Sequence, residues 1–354
     1  MPTPWWTDSG SSAYSGAPEI GGSAEAGHRC AAKGVEATMK LVLASRANER
    51  FFHLLDELEG VQVVRAFTEA DVQREIVDAD AIYGWPSREA FALARRLRWI
   101  QCPSAGVERL LTFPEVVESD VIVTNARGAH ARNMAEHVFA MLLAWSRGIL
   151  LARDLQRQRR WEGALVRRHS IELAGSTMGI IGLGNIGRAV AQRASAFEMQ
   201  VLAVDPEPVE KGPFVSELWG LEGLPELLRR SDVVVVSAPH TRQSYHMLGA
   251  EQLALMKPTA ALIVISRGAL VDHAALADAL QRGRIAFAAL DATEPEPLPP
   301  ESPLWGLENC LITPHSSGHS LQKEQRTIEI LCENVRRFVA GEPLINVVDK
   351  QKGY

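Results

Sequence analysis

Thr177–Met178–Gly179–Ile180–Ile181–Gly182–Leu183–Gly184–Asn185–Ile186–Gly187–Arg188 is the stretch on which the reading of this chain turns. An apolar run suited to a buried parallel strand breaks into Gly182-x-Gly184-x-x-Gly187. The pattern then turns helical through Arg188–Ala189–Val190–Ala191. Each glycine serves a physical purpose. Gly182 makes a tight turn, Gly184 lets backbone approach a pyrophosphate, and Gly187 lets helix and strand pack closely. Asn185 and Ile186 open the helix, whose unpaired N–H groups and positive dipole end would face that phosphate. A second apolar run, Val201–Leu202–Ala203–Val204, ends in Asp205, about twenty residues past the first glycine. A carboxylate there accepts hydrogen bonds from an adenosine ribose. Glycines alone could mark any strand-to-helix turn; strand, glycines, helix, second strand and terminal acid together point to a dinucleotide site. Pro206, Glu207 and Pro208 follow the acid, with no arginine to meet a 2′-phosphate, so the expectation is NAD rather than NADP.

The whole chain bounds the remaining choices. Its 354 residues can bury two cores. Lys+Arg 37 against Asp+Glu 43 leaves it mildly acidic, with no electrostatic footprint for nucleic acid and no polybasic membrane patch. No apolar run approaches the length of a bilayer span. Cys30, Cys102, Cys310 and Cys332 are scattered, without a CxxC pair or Cys/His ligand spacing. They read as small hydrophobes in a reducing cytoplasm, and no metal is expected. Residues 1–38, rich in Gly, Ser, Ala and Pro, show no period and read as a disordered leader without a signal peptide. Met39 reads as the functional start; Trp5 and Trp6 could instead anchor the leader to a partner.

From Met39 onward strand-like and helix-like segments alternate, which implies α/β layers on parallel sheets. A first set of strands is expected near 40–44, 61–65, 80–83, 98–101 and 120–124. A second is expected near 177–182, 200–204, 232–237, 260–265, 285–290 and 310–313. Between them Met134, Val138, Met141, Leu142, Trp145 and Ile149 repeat at three and four along one long helical stretch. A final helix carries Ile328, Leu331, Val335 and Phe338 and stops at Gly341. The expectation is two doubly wound domains joined by long helices.

Three polar sites in the second half follow expected strands, on the carboxyl edge where open α/β sheets bind ligands. They are Ser266–Arg267–Gly268, then Asp291–Ala292–Thr293–Glu294–Pro295–Glu296–Pro297, then Pro314–His315–Ser316–Ser317–Gly318. Singly, each has a bland explanation: Arg267 could pair with a surface acid, Glu296 sits in a loop that would be polar anyway, and a lone histidine is more often structural. Jointly, an arginine, an acid and a histidine on one edge of a dinucleotide-binding sheet point to chemistry.

These motifs give the chain its resemblance to the D-isomer-specific 2-hydroxyacid dehydrogenases, which include D-lactate, glyoxylate/hydroxypyruvate and phosphoglycerate-acting enzymes. The resemblance runs from about Met39 to the end. It rests on Gly182–Arg188, Ile265–Ser266–Arg267–Gly268–Ala269, the Asp291-to-Pro297 segment, Thr313–Pro314–His315, Ser104–Ala105–Gly106–Val107 and Ala135–Glu136–His137. It implies a Rossmann-type NAD domain over 127–314, and a flavodoxin-like substrate domain from 39–126 and 315–354. It implies a catalytic trio of Arg267, Glu296 and His315. Reduction of a keto carbon builds charge on its oxygen, and an imidazole is a proton donor suited to neutral pH. A carboxylate beside the ring favours its protonated form and orients it. Arg267 offers substrate a planar fork of donors that lysine lacks. By family position, Asp291 would hold the nicotinamide carboxamide, and Ala238, Pro239, Ser244 and Ile265 would line the cofactor channel.

For substrate, the small residues Ala105, Gly106 and Val107 could form a backbone nest for a carboxylate, although an ordinary glycine turn explains them equally well. Trp85 reads as an apolar wall, with only Arg88 beyond it, which disfavours a phosphorylated substrate. The segments Ala292–Thr293 and Ser316–Ser317–Gly318–His319 depart from the usual family sequence and could reshape the pocket wall. Formate dehydrogenases of the superfamily carry Gln where Glu296 stands, which argues against that activity. Glu136–His137 reads as packing near the cleft. Of the remaining histidines, His240 and His319 are the strongest candidates for a role. The expectation is a cytoplasmic, homodimeric NAD-dependent reductase of glyoxylate, hydroxypyruvate or an apolar 2-keto acid, with the long helix after Gly128 as partner surface. The alternative is an NAD-sensing, corepressor-like binding protein with little turnover. Alanine dehydrogenase and adenosylhomocysteine hydrolase share the glycine signature but not the Arg–Glu–His order.

Overall fold

The computed structural model describes residues 39–353. The expected leader, with Trp5, Trp6, His28 and Cys30, lies outside the described residues. Every expected apolar run becomes a strand. These strands build a five-stranded sheet and most of a seven-stranded one, and every strand pair within them is parallel.

The first sheet comprises β1 (Met39–Leu43), β2 (Val61–Arg65), β3 (Ala81–Tyr83), β4 (Trp99–Gln101) and β5 (Ile122–Thr124), in the order β2-β1-β3-β4-β5. The second comprises β6 (Thr177–Ile181), β7 (Gln200–Val204), β8 (Glu217–Trp219), β9 (Val233–Val236), β10 (Ala261–Val264), β11 (Phe287–Leu290) and β12 (Cys310–Ile312). Its order is β12-β11-β10-β9-β6-β7-β8, so the chain winds one way from β6 and the other way from β9. Loops leaving β6 and β9 diverge there and open a crevice at the carboxyl edge.

Burial on both faces explains the composition of these strands. Val233–Val236 is fully buried, and alternate residues feed opposite cores. Ile180, Val235 and Ile263 point to one core; Ile181, Val234, Val236, Leu262 and Val264 point to the other. Each such side chain contributes about 1.5–3 kcal/mol on leaving water. In the first sheet, Leu41, Leu43, Tyr83 and Trp99 pack with Ile328, Leu331 and Val335 of the last helix, Leu321–Ala340. That helix is capped by the Ser320 hydroxyl, which accepts the Lys323 N–H at 3.0 Å, and it stops at Gly341 with φ +71°.

Two expectations are corrected. The apolar repeat from Met134 to Ile149 is two helices, Ala131–Ser146 and Ile149–Arg157, because Gly148 between them adopts a left-handed φ of +65°. The edge strand β8, absent from the expected set, is only three half-buried residues, so it carries no apolar run.

Candidate active site

The loop leaving β6 is shaped by its glycines. At Gly182, with φ +93°, a Cβ would come within 2.7 Å of the Ala238 backbone. A Cβ on Gly187 would stand 2.2 Å from the Gly182 carbonyl oxygen, so helix Asn185–Ala196 can sit this close to the loop only without one. Gly184 is different: a Cβ there would meet nothing within 4 Å. The N–H groups of Gly184, Asn185 and Ile186 have no protein acceptor among the described residues. Open space above Gly184 and a fan of unpaired donors at a helix start fit a pyrophosphate. Asp205, at the end of β7, accepts the Leu183 N–H at 2.7 Å and the Glu207 N–H at 3.0 Å, which fixes its carboxylate beside that loop. Ala238 and Pro239 follow β9, where the Ser244 hydroxyl donates to the Pro239 carbonyl at 2.9 Å and accepts the Thr241 N–H at 2.8 Å.

Adjacent strands deliver the polar groups. Ile265 and Arg267 leave β10, Asp291 leaves β11, and His315 leaves β12. Asp291 anchors the corner. Its carboxylate accepts the Thr313 hydroxyl at 2.6 Å and the N–H groups of Ser316 and Ser317 at 2.9 and 3.0 Å. Burial would raise its pKa, but those hydrogen bonds outweigh burial and hold the carboxyl below the usual aspartate range. The same residue's carbonyl accepts the His315 N–H at 2.9 Å, and His315 sits at φ +50°. His315 Nδ1 lies 2.8 Å from Glu296 Oε2, while Glu296 Oε1 accepts the Thr293 N–H at 2.9 Å. A carboxylate only accepts, so Nδ1 carries the proton and Nε2 is left for other chemistry. Gly268 brings the Arg267 and Glu296 loops together, since a Cβ there would fall 2.1 Å from the Thr293 carbonyl carbon.

The first sheet meets this edge through the loop after β4. Asn125 donates to the Ala105 carbonyl at 2.8 Å and the Ser104 hydroxyl to the Gly106 carbonyl at 2.7 Å. The N–H groups of Ala105, Gly106 and Val107 have no protein acceptor among the described residues. A Cβ on Gly106 would stand 2.2 Å from Arg267 Nη2, so the guanidinium of one sheet lies directly over the loop of the other. Trp85 packs against the first-sheet core, and Arg88 is engaged by Glu115 at 2.9 Å through Nε.

Sequence reasoning missed four contacts. Arg267 Nε and Nη2 reach Glu108 Oε1 at 3.2 and 3.0 Å. His246 Nε2, rather than His240 or His319, reaches this loop, at 2.8 Å from Glu294 Oε2. His137 Nε2 lies 3.0 Å from the Thr313 hydroxyl and 3.6 Å from Asp291, more than simple packing. Lys352 Nζ lies 3.0 Å from Glu207 Oε1. The Glu294 signal was present, since it stands two residues before Glu296; the other partners are too distant in sequence for spacing to reveal. Among the described residues no cluster of metal-ligand type occurs, Cys102, Cys310 and Cys332 are free, and no helix is long and apolar enough to cross a membrane.

Comparison with known proteins identifies this architecture. Residues 139–317 match the family model described as "D-isomer specific 2-hydroxyacid dehydrogenase, NAD binding domain". The chain is 38% identical to the glyoxylate reductase of Korarchaeum cryptofilum, over 74% of this chain and 79% of that one. The chain belongs to the D-isomer-specific 2-hydroxyacid dehydrogenase family. It is an NAD-binding oxidoreductase of 2-keto and 2-hydroxy acids. Another member, the D-3-phosphoglycerate dehydrogenase of Methanocaldococcus jannaschii, is 32% identical over 88% of this chain; the chain spans 59% of its length. A solved 2-hydroxyacid dehydrogenase from Xanthobacter autotrophicus, in complex with NADPH and MES, superposes with TM-score 0.76 at 31% identity, covering 90% of this chain and 100% of that one.

Proposed function

We propose that this dehydrogenase interconverts a small, unphosphorylated 2-keto acid and its (R)-2-hydroxy acid, with NAD as the preferred cofactor. The observation that carries the reading is the convergence of His315, Glu296 and Arg267 at the carboxyl ends of β10, β11 and β12, facing a loop of unpaired N–H donors after β4. Gly184, Asn185 and Ile186 would hold the pyrophosphate, Asp205 the adenosine ribose, and Asp291 the carboxamide. When bound, the nicotinamide supplies hydride to the keto carbon on reduction and takes it back on oxidation.

The residues of the chain do the rest. Arg267 and the N–H groups of Ala105, Gly106 and Val107 bind the substrate carboxylate and set its carbonyl. His315 donates its Nε2 proton to the oxygen as the C=O bond becomes C–OH, and recovers a proton from solvent afterwards. Glu296 fixes the tautomer through Nδ1 and stabilises the charged ring. The segment 39–126 with 315–354 acts as the substrate domain, and 127–314 as the cofactor domain. The cleft between them excludes water from the reacting atoms.

Asp205 favours NAD because a carboxylate at the ribose repels a 2′-phosphate. Lys352, the cation near Glu207, is engaged by that acid. Trp85 and the engagement of Arg88 by Glu115 favour an apolar substituent at C3 over a phosphate. Exposed Ile149, Trp161 and Ile171 around helix Ile149–Arg157 support a homodimer through this face. Free cysteines fit the reducing cytoplasm.

The test is NADH and NADPH oxidation across glyoxylate, hydroxypyruvate, pyruvate, longer apolar 2-keto acids and 3-phosphohydroxypyruvate. Turnover of an unphosphorylated acid with NADH is expected. Negligible turnover on the whole panel, with NADH still binding, would favour the sensor reading instead.

A further inference from the structure

We propose that Glu108 is a resident carboxylate that competes with the substrate's own carboxylate for Arg267, and thereby sets how tightly 2-keto acids bind. This rests on the reading of Arg267 given above, and concerns a residue outside the trio. Two of the guanidinium's three nitrogens, Nε and Nη2, point at Glu108 Oε1 at 3.2 and 3.0 Å. The third, Nη1, donates to the Ser266 carbonyl at 2.8 Å. The edge of the fork that a keto acid would use is therefore already taken by a carboxylate.

The contact has the features of a stand-in rather than a strut. A strut would use both oxygens, but Glu108 Oε2 has no protein donor among the described residues. It rests above Gly106, where a Cβ would lie 2.5 Å from it and 2.2 Å from Arg267 Nη2. That places the Glu108 carboxylate next to the unpaired N–H groups of the 105–107 loop, where a substrate carboxylate would gain most. Arg267 also has independent support, from Ser266 and from the buried strand β10 that precedes it. Side-chain exposures of 37% for Arg267 and 50% for Glu108 make the pair weak and easily parted. An incoming keto acid exchanges one carboxylate for another on the same fork, and Glu108 swings into solvent.

The sign of the effect on KM decides the matter. Glu108→Gln and Glu108→Ala are compared with the unaltered protein, using glyoxylate as substrate at saturating NADH and oxamate as an unreactive mimic. KM for glyoxylate and Ki for oxamate are expected to fall about two- to five-fold, the range set by an exposed ion pair, with kcat changing less than KM. In the Arg267→Ala background, removal of Glu108 is expected to give no such gain. A higher KM in the Glu108 variants would make Glu108 a support for Arg267 and overturn the proposal; an unchanged KM with unchanged melting temperature would overturn it too. These results are separable from failure of the underlying reading, which would appear as wild-type kcat/KM in Arg267→Ala alone.

Discussion

The two sheets offer their carboxyl edges to the same cleft, but with different materials. The seven-stranded sheet delivers an aspartate, an arginine, a glutamate and a histidine from consecutive strands; hydrogen bonds hold Asp291 to Thr313, Ser316 and Ser317, and Glu296 to His315. The five-stranded sheet delivers a backbone loop with unpaired donors, one glutamate and an indole, Trp85, that packs on its core. Fixed charge on one side suits chemistry shared by a whole family. Shape and backbone on the other side can change with little cost to the core, so substitutions there are expected to shift the preference among 2-keto acids.

The largest losses are expected at the charged edge. His315→Ala is expected to lower kcat by about 10²–10⁴-fold, the usual loss for a positioned proton donor, while the NADH dissociation constant from fluorescence titration stays near wild type. Arg267→Ala is expected to cost about 10²–10³-fold in kcat and to raise KM as well, because one group serves both binding and the developing charge.

His130, which precedes helix Ala131–Ser146 on the chain between the two sheets, has its pKa lowered to about 4 by burial first and by the nearby Lys323 charge second. The unfolded chain takes up that proton near pH 6.5, whereas the folded one resists it until about pH 4. Stability is thus expected to fall as pH drops from about 6.5 to about 4, by about 3 kcal/mol, and melting curves of His130→Gln should flatten that slope.

The glycine loop sharpens the contrast between folding and binding. Gly187→Ala forces a methyl against the Gly182 carbonyl and should cost about 1–3 kcal/mol in denaturant titration together with NADH affinity. Gly184→Ala meets no protein atom, so its melting temperature should hold while NADH binding weakens. Smallest is Trp85→Ala at the other edge, which should shift preference among keto acids by about ten-fold while leaving the glyoxylate rate largely intact.

The legible parts of this molecule were those written locally. A buried parallel strand is a short apolar run, so β6, β9, β10 and β11 could be read directly, and the polar segments after β10, β11 and β12 marked the ligand edge. Gly182, Gly184 and Gly187 carry their function in spacing. The edge strand β8 was hidden because a half-buried edge needs no apolar run, and the helix break at Gly148 was hidden inside an uninterrupted apolar repeat. Glu108 was hidden for a different reason. It meets Arg267 only where the two sheets come together, across 159 residues of chain, and no local pattern encodes that meeting. His246 and Glu294 meet within the seven-stranded sheet, from the loops after β9 and β11, across 48 residues that spacing alone does not bridge.

If His315 and Arg267 carry the reaction, their side chains face the reacting carbon. A crystal structure with NAD and oxamate tests it most directly. The His315 imidazole is expected within hydrogen-bond distance of the oxamate carbonyl oxygen, with the Arg267 guanidinium on its carboxylate. An imidazole turned to the outer surface, with oxamate held by other groups, would contradict it.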